Sequence, residues 1–419
     1  MFSSKKLVKP WLLIAGAMIV GFIVAERATY GVFLGPIQDA FHLTRSQATL
    51  PLSLTLFTMG ITQPLAGVFI DRFGGRKSIL LGVIFLILGL SLASRAQNLW
   101  QLILSYGLFI GFAGATISGN AWAILIGSWF KKERRATILG MNYAAWRISP
   151  MFFGPLAAYL ITKVEWNGTF LIFAIITAAI ALPVAFLFVQ EAPGTVAASA
   201  TLTTEREAAF LSPEVRRALK TRVYWILLAT WLGCGFEVAI LSAHLPSLGL
   251  QYGLSRQVGA VALGVFGVSG AVGAITGGWA SDHFGRYRVL VFGFVVRAIG
   301  VYLLAFAVSN TTTYYIMAAI AGFPSLFTSP IIQLLLFEIF GKKIAGRVIG
   351  LSFLGHQLIG TISPYLAGWL FDLTGSYAAP FTLAATALLV SAILATRLEG
   401  IVKHHLAGQT TPASSATTP

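Results

Sequence analysis

Twelve apolar runs divide this chain, each close to the ~20 residues a helix needs to cross a bilayer, with short knots of charge between them. They fall near 11–34, 47–70, 78–97, 100–129, 137–162, 168–190, 223–248, 256–281, 289–308, 313–339, 348–371 and 377–396. With 57% of 419 residues hydrophobic and only 10% charged, a water-soluble domain could not hide that much apolar surface. The alternation of apolar and polar residues that a spanning β-barrel requires is missing. The pattern predicts an all-α membrane protein of twelve transmembrane helices.

The net charge of +15 suggests nucleic acid until the basic residues are placed. One side of the membrane carries 22 of the 29 Lys and Arg: clusters at Lys5–Lys9, Arg72–Lys77, Lys131–Arg135, Arg206–Arg222, Arg286–Arg288 and Lys342–Arg347, then Arg397 and Lys403. The other side carries Arg45, Arg95, Lys163 and Arg256, and three arginines remain in the membrane. The positive-inside rule then puts both termini in the cytoplasm, as expected of a multi-pass protein of the cell inner membrane, and no nucleic-acid partner is needed. Glu26 and Arg27 follow the first apolar residues without a small-residue cleavage site, so this run reads as an uncleaved helix. The single cysteine, Cys234, offers neither a disulfide nor metal-ligand spacing, and no cofactor is expected.

Residues 191–222 form the one long polar connection. It opens with Glu191-Ala192-Pro193-Gly194 and ends in a charged amphipathic stretch, Ser212 to Arg222. The expected organisation is an N-terminal six-helix bundle over 1–190, a cytoplasmic linker over 191–222, a second bundle over 223–402 and a disordered tail over 403–419. The halves repeat at a fixed offset. Gly67 to Gly74 (GVFIDRFG) recurs as Gly278 to Gly285 (GWASDHFG), 211 residues on, and Leu43-Thr44-Arg45 recurs as Leu254-Ser255-Arg256. A six-helix unit duplicated in parallel is the footprint of a transporter built from two rocking halves.

Gly67 to Lys77 resembles the G-x-x-x-D-R-x-G-x-R-K signature of the major facilitator superfamily. The second copy, Gly278 to Arg288, is degraded, with His283 where the first arginine is expected. Tyr30 to Pro36, Gly355-His356-Gln357 and Phe371 to Tyr377 resemble bacterial relatives of monocarboxylate transporters and oxalate/formate exchangers. Those relatives usually carry an arginine in the eighth helix; here that segment reads Val272-Gly273-Ala274-Ile275-Thr276. The resemblance implies two pseudo-symmetric six-helix bundles. It also implies a gating cluster of Asp71, Arg72, Arg76, Lys77 and Asp282 that latches the bundles' cytoplasmic ends in the outward-open state, with Glu338 and Arg347 as the second half's counterpart.

An ionisable side chain at mid-membrane is costly unless paired or hydrated, so each is a functional candidate. Seven stand out: Glu26, Arg27, Arg147, Glu237, His244, Arg297 and His356. Glu26 and Glu237 are 211 residues apart and so equivalent on the first and seventh helices. A carboxyl balanced between burial and a neighbouring cation suits proton coupling; the structural alternative pairs Glu26 with Arg147 or Arg297 and never titrates. Arg147 and His356 form a second symmetric pair, on the fifth and eleventh helices. An arginine fork and an imidazole together suit a carboxylate. Arg27 points about 100° from Glu26 on an α-helix. Asn120 and Tyr30 complete the substrate-binding candidates, Tyr30 standing one turn from Glu26. Arg297 is expected to be structural and His244 a satisfied helix-end residue.

With no nucleotide loop, no H-E-x-x-H and no G-x-S-x-G, the chain is not expected to be an enzyme. The reading is a secondary active transporter, acting as a monomer in the lipid bilayer, that moves a small organic anion by alternating access, coupled to protons. The alternatives are an anion exchanger and an efflux permease for an amphipathic or toxic compound.

Overall fold

The structure, a computed structural model, describes residues 10–130, 132–192 and 212–410. The side chains of Asp71 and Asn120, most of the connection after residue 192 and the tail after 410 lie outside the described residues. Ten stretches among the described residues are long and apolar enough to cross a membrane. One of them, Thr137–Phe188, is two spans, because the backbone leaves helical geometry at Val164 and Glu165. A further helix over 342–374 follows a break at Gly341 and is less apolar than the rest. The described residues therefore hold twelve membrane helices, α1 (Pro10–Phe41), α2 (Arg45–Phe73), α3 (Gly75–Ala93), α4 (Leu99–Trp129), α5 (137–163), α6 (166–188), α7 (Arg222–Gln251), α8 (Arg256–Phe284), α9 (Arg286–Phe306), α10 (Thr311–Gly341), α11 (342–374) and α12 (Ala378–His405).

The helices gather around two hydrophobic cores. One joins Leu13, Phe33, Leu86, Trp122, Phe153 and Phe173; the other joins Trp231, Leu241, Phe294, Ile332, Phe381 and Leu388. The internal repeat is written into the backbone. Thr44 and Ser255, equivalent residues, cap the N-termini of α2 and α8 through hydrogen bonds from the Gln47 and Val258 amides. Gly74 and Gly285, again equivalent, end the same two helices with φ of 90° and 89°. Only glycine adopts that conformation without strain, so the signature loop turns identically in both halves.

The first helix is not continuous, contrary to the unbroken span expected over 11–34. It becomes a 3₁₀ turn over Ala25–Thr29, where the polar pair Glu26-Arg27 interrupts the apolar run. The carbonyls loosened there find side-chain donors: Thr29 Oγ1 donates to Glu26 O at 2.7 Å and Tyr106 Oη to Arg27 O at 3.0 Å. Broken helices survive in a membrane only where such donors exist.

The two bundles meet on the side away from the termini. Gly31 of α1 leaves no room for a Cβ against the Ser242 and Ala243 carbonyls of α7, nor does Gly368 of α11 against Ser46 of α2. Gly264 of α8 fits as tightly against Met151 of α5. Towards the basic side of α2, α5, α8 and α11, Gly67, Gly140, Gly278 and Gly350 have nothing within 4 Å of where a Cβ would stand. Among the described residues the bundles are packed together on the far side, and these four glycines stand in open space on the basic side. An aspartate fastens the closed side. Asp372 Oδ1 accepts from the Arg45 amide at 2.7 Å, and Oδ2 accepts from the Ser46 amide at 2.9 Å and the Ser46 hydroxyl at 2.6 Å. The carboxylate thus sits on the N-terminus of α2, where the helix dipole favours it, while the Arg45 guanidinium covers the Phe371 ring at 5.0 Å. Charge-assisted bonds of this kind are worth about 1.5–3 kcal/mol. Asp372→Asn is therefore expected to raise the far-side-open population at least roughly tenfold. Spin-label distances between the far ends of α2 and α11 measure it; an unchanged distance distribution would show that this clasp does not hold the bundles closed.

Candidate functional site

Halfway along the helices, polar side chains from both bundles face one another across the central crevice. In the N-terminal bundle Glu26 is 1% exposed, and its Oε1 accepts from Thr177 Oγ1 of α6 at 2.8 Å. Its Oε2 has no hydrogen-bond partner among the described residues. Arg27 lies within electrostatic range of it but forms no ion pair with it. A 3₁₀ turn separates consecutive side chains by about 120° rather than 100°, and the Arg27 guanidinium lies over the Trp146 ring at 5.3 Å, a cation–π contact. Arg27 is partly accessible and Ala28 beside it is exposed, so this turn is not sealed within its bundle.

In the C-terminal bundle Arg297 of α9 and Glu237 of α7 form an ion pair in which both side chains are 0% exposed. Arg297 Nη1 also donates to Cys234 Sγ and to Thr328 Oγ1, each at 3.2 Å. Ser329 Oγ accepts from Trp231 Nε1 at 3.0 Å and lies 3.6 Å from Cys234 Sγ. The Cys234 thiol belongs to this polar cluster. In front of the cluster, His356 of α11 is partly accessible. Its ring stacks on Phe353 at 5.9 Å and leans on Trp231 at 5.3 Å; Nδ1 meets Gln357 Oε1 at 3.2 Å, and Nε2 has no partner among the described residues. Arg147 of α5, also partly accessible, lies within electrostatic range of Cys234 and Arg297 across the crevice. Its carbonyl rests against Gly267 of α8.

The charges therefore sort by depth. Three basic groups (Arg27, Arg147 and His356) reach the crevice, whereas Glu26, Glu237 and Arg297 stand fully buried behind it. The symmetric glutamates are not alike: Glu237 has a guanidinium partner and Glu26 has a hydroxyl. The structural pairing weighed for Glu26, with Arg147 or Arg297, is not formed, because Arg297 is engaged by Glu237.

Two expectations need correcting. Tyr30 does not line the crevice. It is 1% exposed, its ring lies 4.7 Å from that of Tyr106, and its hydroxyl donates to Ala48 O at 2.8 Å. The 3₁₀ turn between Glu26 and Tyr30 rotates it out of the register that a continuous α-helix would give. Glu338 pairs with Arg286 rather than Arg347, because α9 begins directly after the Gly285 turn and sets Arg286 against the end of α10.

Of the residues expected to form a gate, Arg72, Arg76 and Lys77 make contacts within their own half. The Arg76 amide donates to Glu191 Oε1 at 3.2 Å and Arg76 Nη2 donates to Phe186 O at 2.8 Å, tying the signature loop to the end of α6. Arg72 and Lys77 lie over Phe73 at 5.4 and 5.8 Å. Asp282 is exposed. His244 is fully buried, with Nε2 2.9 Å from Pro364 O and Nδ1 3.2 Å from Tyr377 Oη. Thr177, Thr328, Ser329 and Asp372 carry parts of this arrangement without having been singled out; lone hydroxyls in apolar runs give no sequence signal of their own, and Asp372 reads as a loop residue.

Two six-helix bundles, closed on one side around a polar centre, define a polytopic membrane transporter. The profile of the Major Facilitator Superfamily matches residues 16–279 and 236–417, and the chain belongs to that superfamily. It is 24% identical over 366 residues to the uncharacterized MFS-type transporter YcxA of Bacillus subtilis, covering 84% of this chain and 85% of that one. It is 25% identical over 413 residues to monocarboxylate transporter 12 of Rattus norvegicus, covering 92% of this chain and 84% of that one. Among solved structures, a D-xylose–proton symporter superposes with a TM-score of 0.73 at 16% identity, covering 93% of this chain and 97% of that one.

Proposed function

We propose that this transporter moves a small carboxylate-bearing anion across the inner membrane by alternating access, coupled to protons, with its basic side in the cytoplasm. The observation that carries the reading is the depth sorting of charge. A crevice lined by Arg27, Arg147 and His356, with its acids buried behind them, presents net positive potential to whatever enters. Arg147 offers a planar fork for a carboxylate, and the His356 imidazole, beside Cys234, a second basic group. The relative named a monocarboxylate transporter supports the same ligand class. With the lysine-rich loops in the cytoplasm, the conformation described above faces inward, and Asp372 closes the periplasmic side. Glu26 and Glu237, equivalent and membrane-buried, are the groups available to carry a proton. Asn120, Asp71 and Asp282 stay with the substrate path and the cytoplasmic gate in this proposal.

A thermal-shift panel of acetate, lactate, pyruvate, oxalate and succinate against the purified protein tests ligand class, since a ligand at a hundred times its Kd adds about 2.7 kcal/mol of stability. At least one of these acids is expected to raise the melting temperature of the unmodified protein and to lose that effect in Arg147→Ala. An amphipathic cation that stabilises the protein while every acid fails would favour the efflux reading instead.

A further inference from the structure

Three departures from α-helical geometry converge on one carboxyl group of the N-terminal bundle. Helix α1 is a 3₁₀ turn over Ala25–Thr29 and holds Glu26. Helix α6 widens into a π-helical segment over Thr177–Ala181, whose first residue donates to Glu26 Oε1 at 2.8 Å. Helix α4 is π-helical over Ile103–Ile110, and Tyr106 within it donates to the Arg27 carbonyl at 3.0 Å, pinning the turn that carries Glu26. Wide turns of this kind are uncommon and gather at functional sites. The symmetry-related segment around Glu237 lies inside an uninterrupted α7, and Glu237 is engaged by Arg297.

Resting on the proton coupling proposed above, we infer that the transported proton is held on Glu26 Oε2, and that Thr177 and Tyr106 are positioning residues that aim this carboxyl. The argument is one of satisfied and unsatisfied atoms. A carboxyl that is 1% exposed needs either a cation or a proton. Glu26 has one hydroxyl donor, on Oε1, and nothing on Oε2 among the described residues. Arg27, next in sequence, lies within electrostatic range of the carboxyl but forms no ion pair with it, its guanidinium lying over Trp146. The neighbouring turn is not sealed within the protein, since Ala28 is exposed and Arg27 partly so. Glu237 already has its cation, and protonating it would strand Arg297 inside the bundle. The two glutamates thus divide the work: Glu237 keeps Arg297 in place, and Glu26 takes and releases the proton.

The test needs no substrate. Infrared difference spectra of the purified protein, recorded while pH is titrated, report a buried carboxylic acid through its C=O stretch. The band is expected to vanish in Glu26→Gln and to persist in Glu237→Gln. A hydroxyl donor favours the ionised carboxylate over the acid, so Thr177→Val should move the band's midpoint to higher pH by roughly half a unit or more, with Thr177→Ser restoring it. Tyr106→Phe should broaden or shift the same band. A band that survives Glu26→Gln, or that disappears in Glu237→Gln instead, overturns the assignment. So does a midpoint unchanged in Thr177→Val, which decides the matter if Glu26→Gln does not fold. In proteoliposomes loaded with pyruvate as probe, Glu26→Gln should lower the ratio of pH-driven uptake to pyruvate–pyruvate exchange at least tenfold, whereas Glu237→Gln should lower both together. Absence of any pyruvate movement in the unmodified protein would count against the substrate class and leave the spectroscopic result to judge the proton site.

Discussion

Replacing Arg297 by alanine is expected to destabilise the protein by about 3–5 kcal/mol, the largest stability effect of any single change in the polar centre. The arginine is fully buried on a helix that faces its own bundle, and its loss leaves the Glu237 carboxylate without a counter-charge in a dry interior. Cys234 and Thr328 lose a donor at the same time. A drop of roughly 10 °C in the apparent melting temperature in detergent would match that cost. The double variant Glu237→Gln/Arg297→Gln should recover most of it, because a neutral amide pair avoids the stranded charge. A double variant as unstable as the single one would mean that the guanidinium acts through packing rather than through its partner.

The second large effect concerns binding. Arg147→Lys is expected to raise KM, or the Kd of a stabilising acid, roughly tenfold to a hundredfold, with little change in melting temperature. The partly accessible guanidinium meets the crevice with a fixed two-pronged face, and an ammonium replaces it with a single point of charge on a flexible stem. Each tenfold step corresponds to about 1.4 kcal/mol, the scale of one charge-assisted hydrogen bond. A Lys variant with unchanged affinity would reassign Arg147 to the contact between α5 and α8, where its carbonyl meets Gly267.

Much of this architecture could be read from the chain, and the reasons are physical. Span lengths and the sidedness of Lys and Arg are imposed by the bilayer, so twelve crossings were legible from apolar length alone. The repeat offset of 211 residues was equally legible, and it reappears as matched caps at Thr44 and Ser255 and matched left-handed turns at Gly74 and Gly285. Membrane cost also pointed to Glu26, Arg27, Arg147, Glu237, Arg297 and His356 as unusual. What the chain did not disclose was who meets whom. Periodicity assumes one helical pitch, and α1, α4 and α6 each depart from it at the residues that matter. The 3₁₀ turn sends Tyr30 into the core and separates Arg27 from Glu26. Symmetry likewise promises equivalent positions, not equivalent partners: nothing in the repeat foretells that Arg297 answers Glu237 while Thr177 answers Glu26. Asp372 escaped notice because its ligands are backbone amides of another helix, more than three hundred residues away in sequence.

The central claim is that three basic groups at the crevice hold a small organic anion while protons drive it. The direct measurement is accumulation of radiolabelled pyruvate in proteoliposomes of the purified protein under an imposed pH gradient. Concentration above the equilibrium level, abolished by a protonophore and lost in Arg147→Ala, is the predicted result. Equal accumulation in Arg147→Ala and the unmodified protein, or an unmodified protein that moves neither pyruvate nor any other acid of the panel, would contradict it.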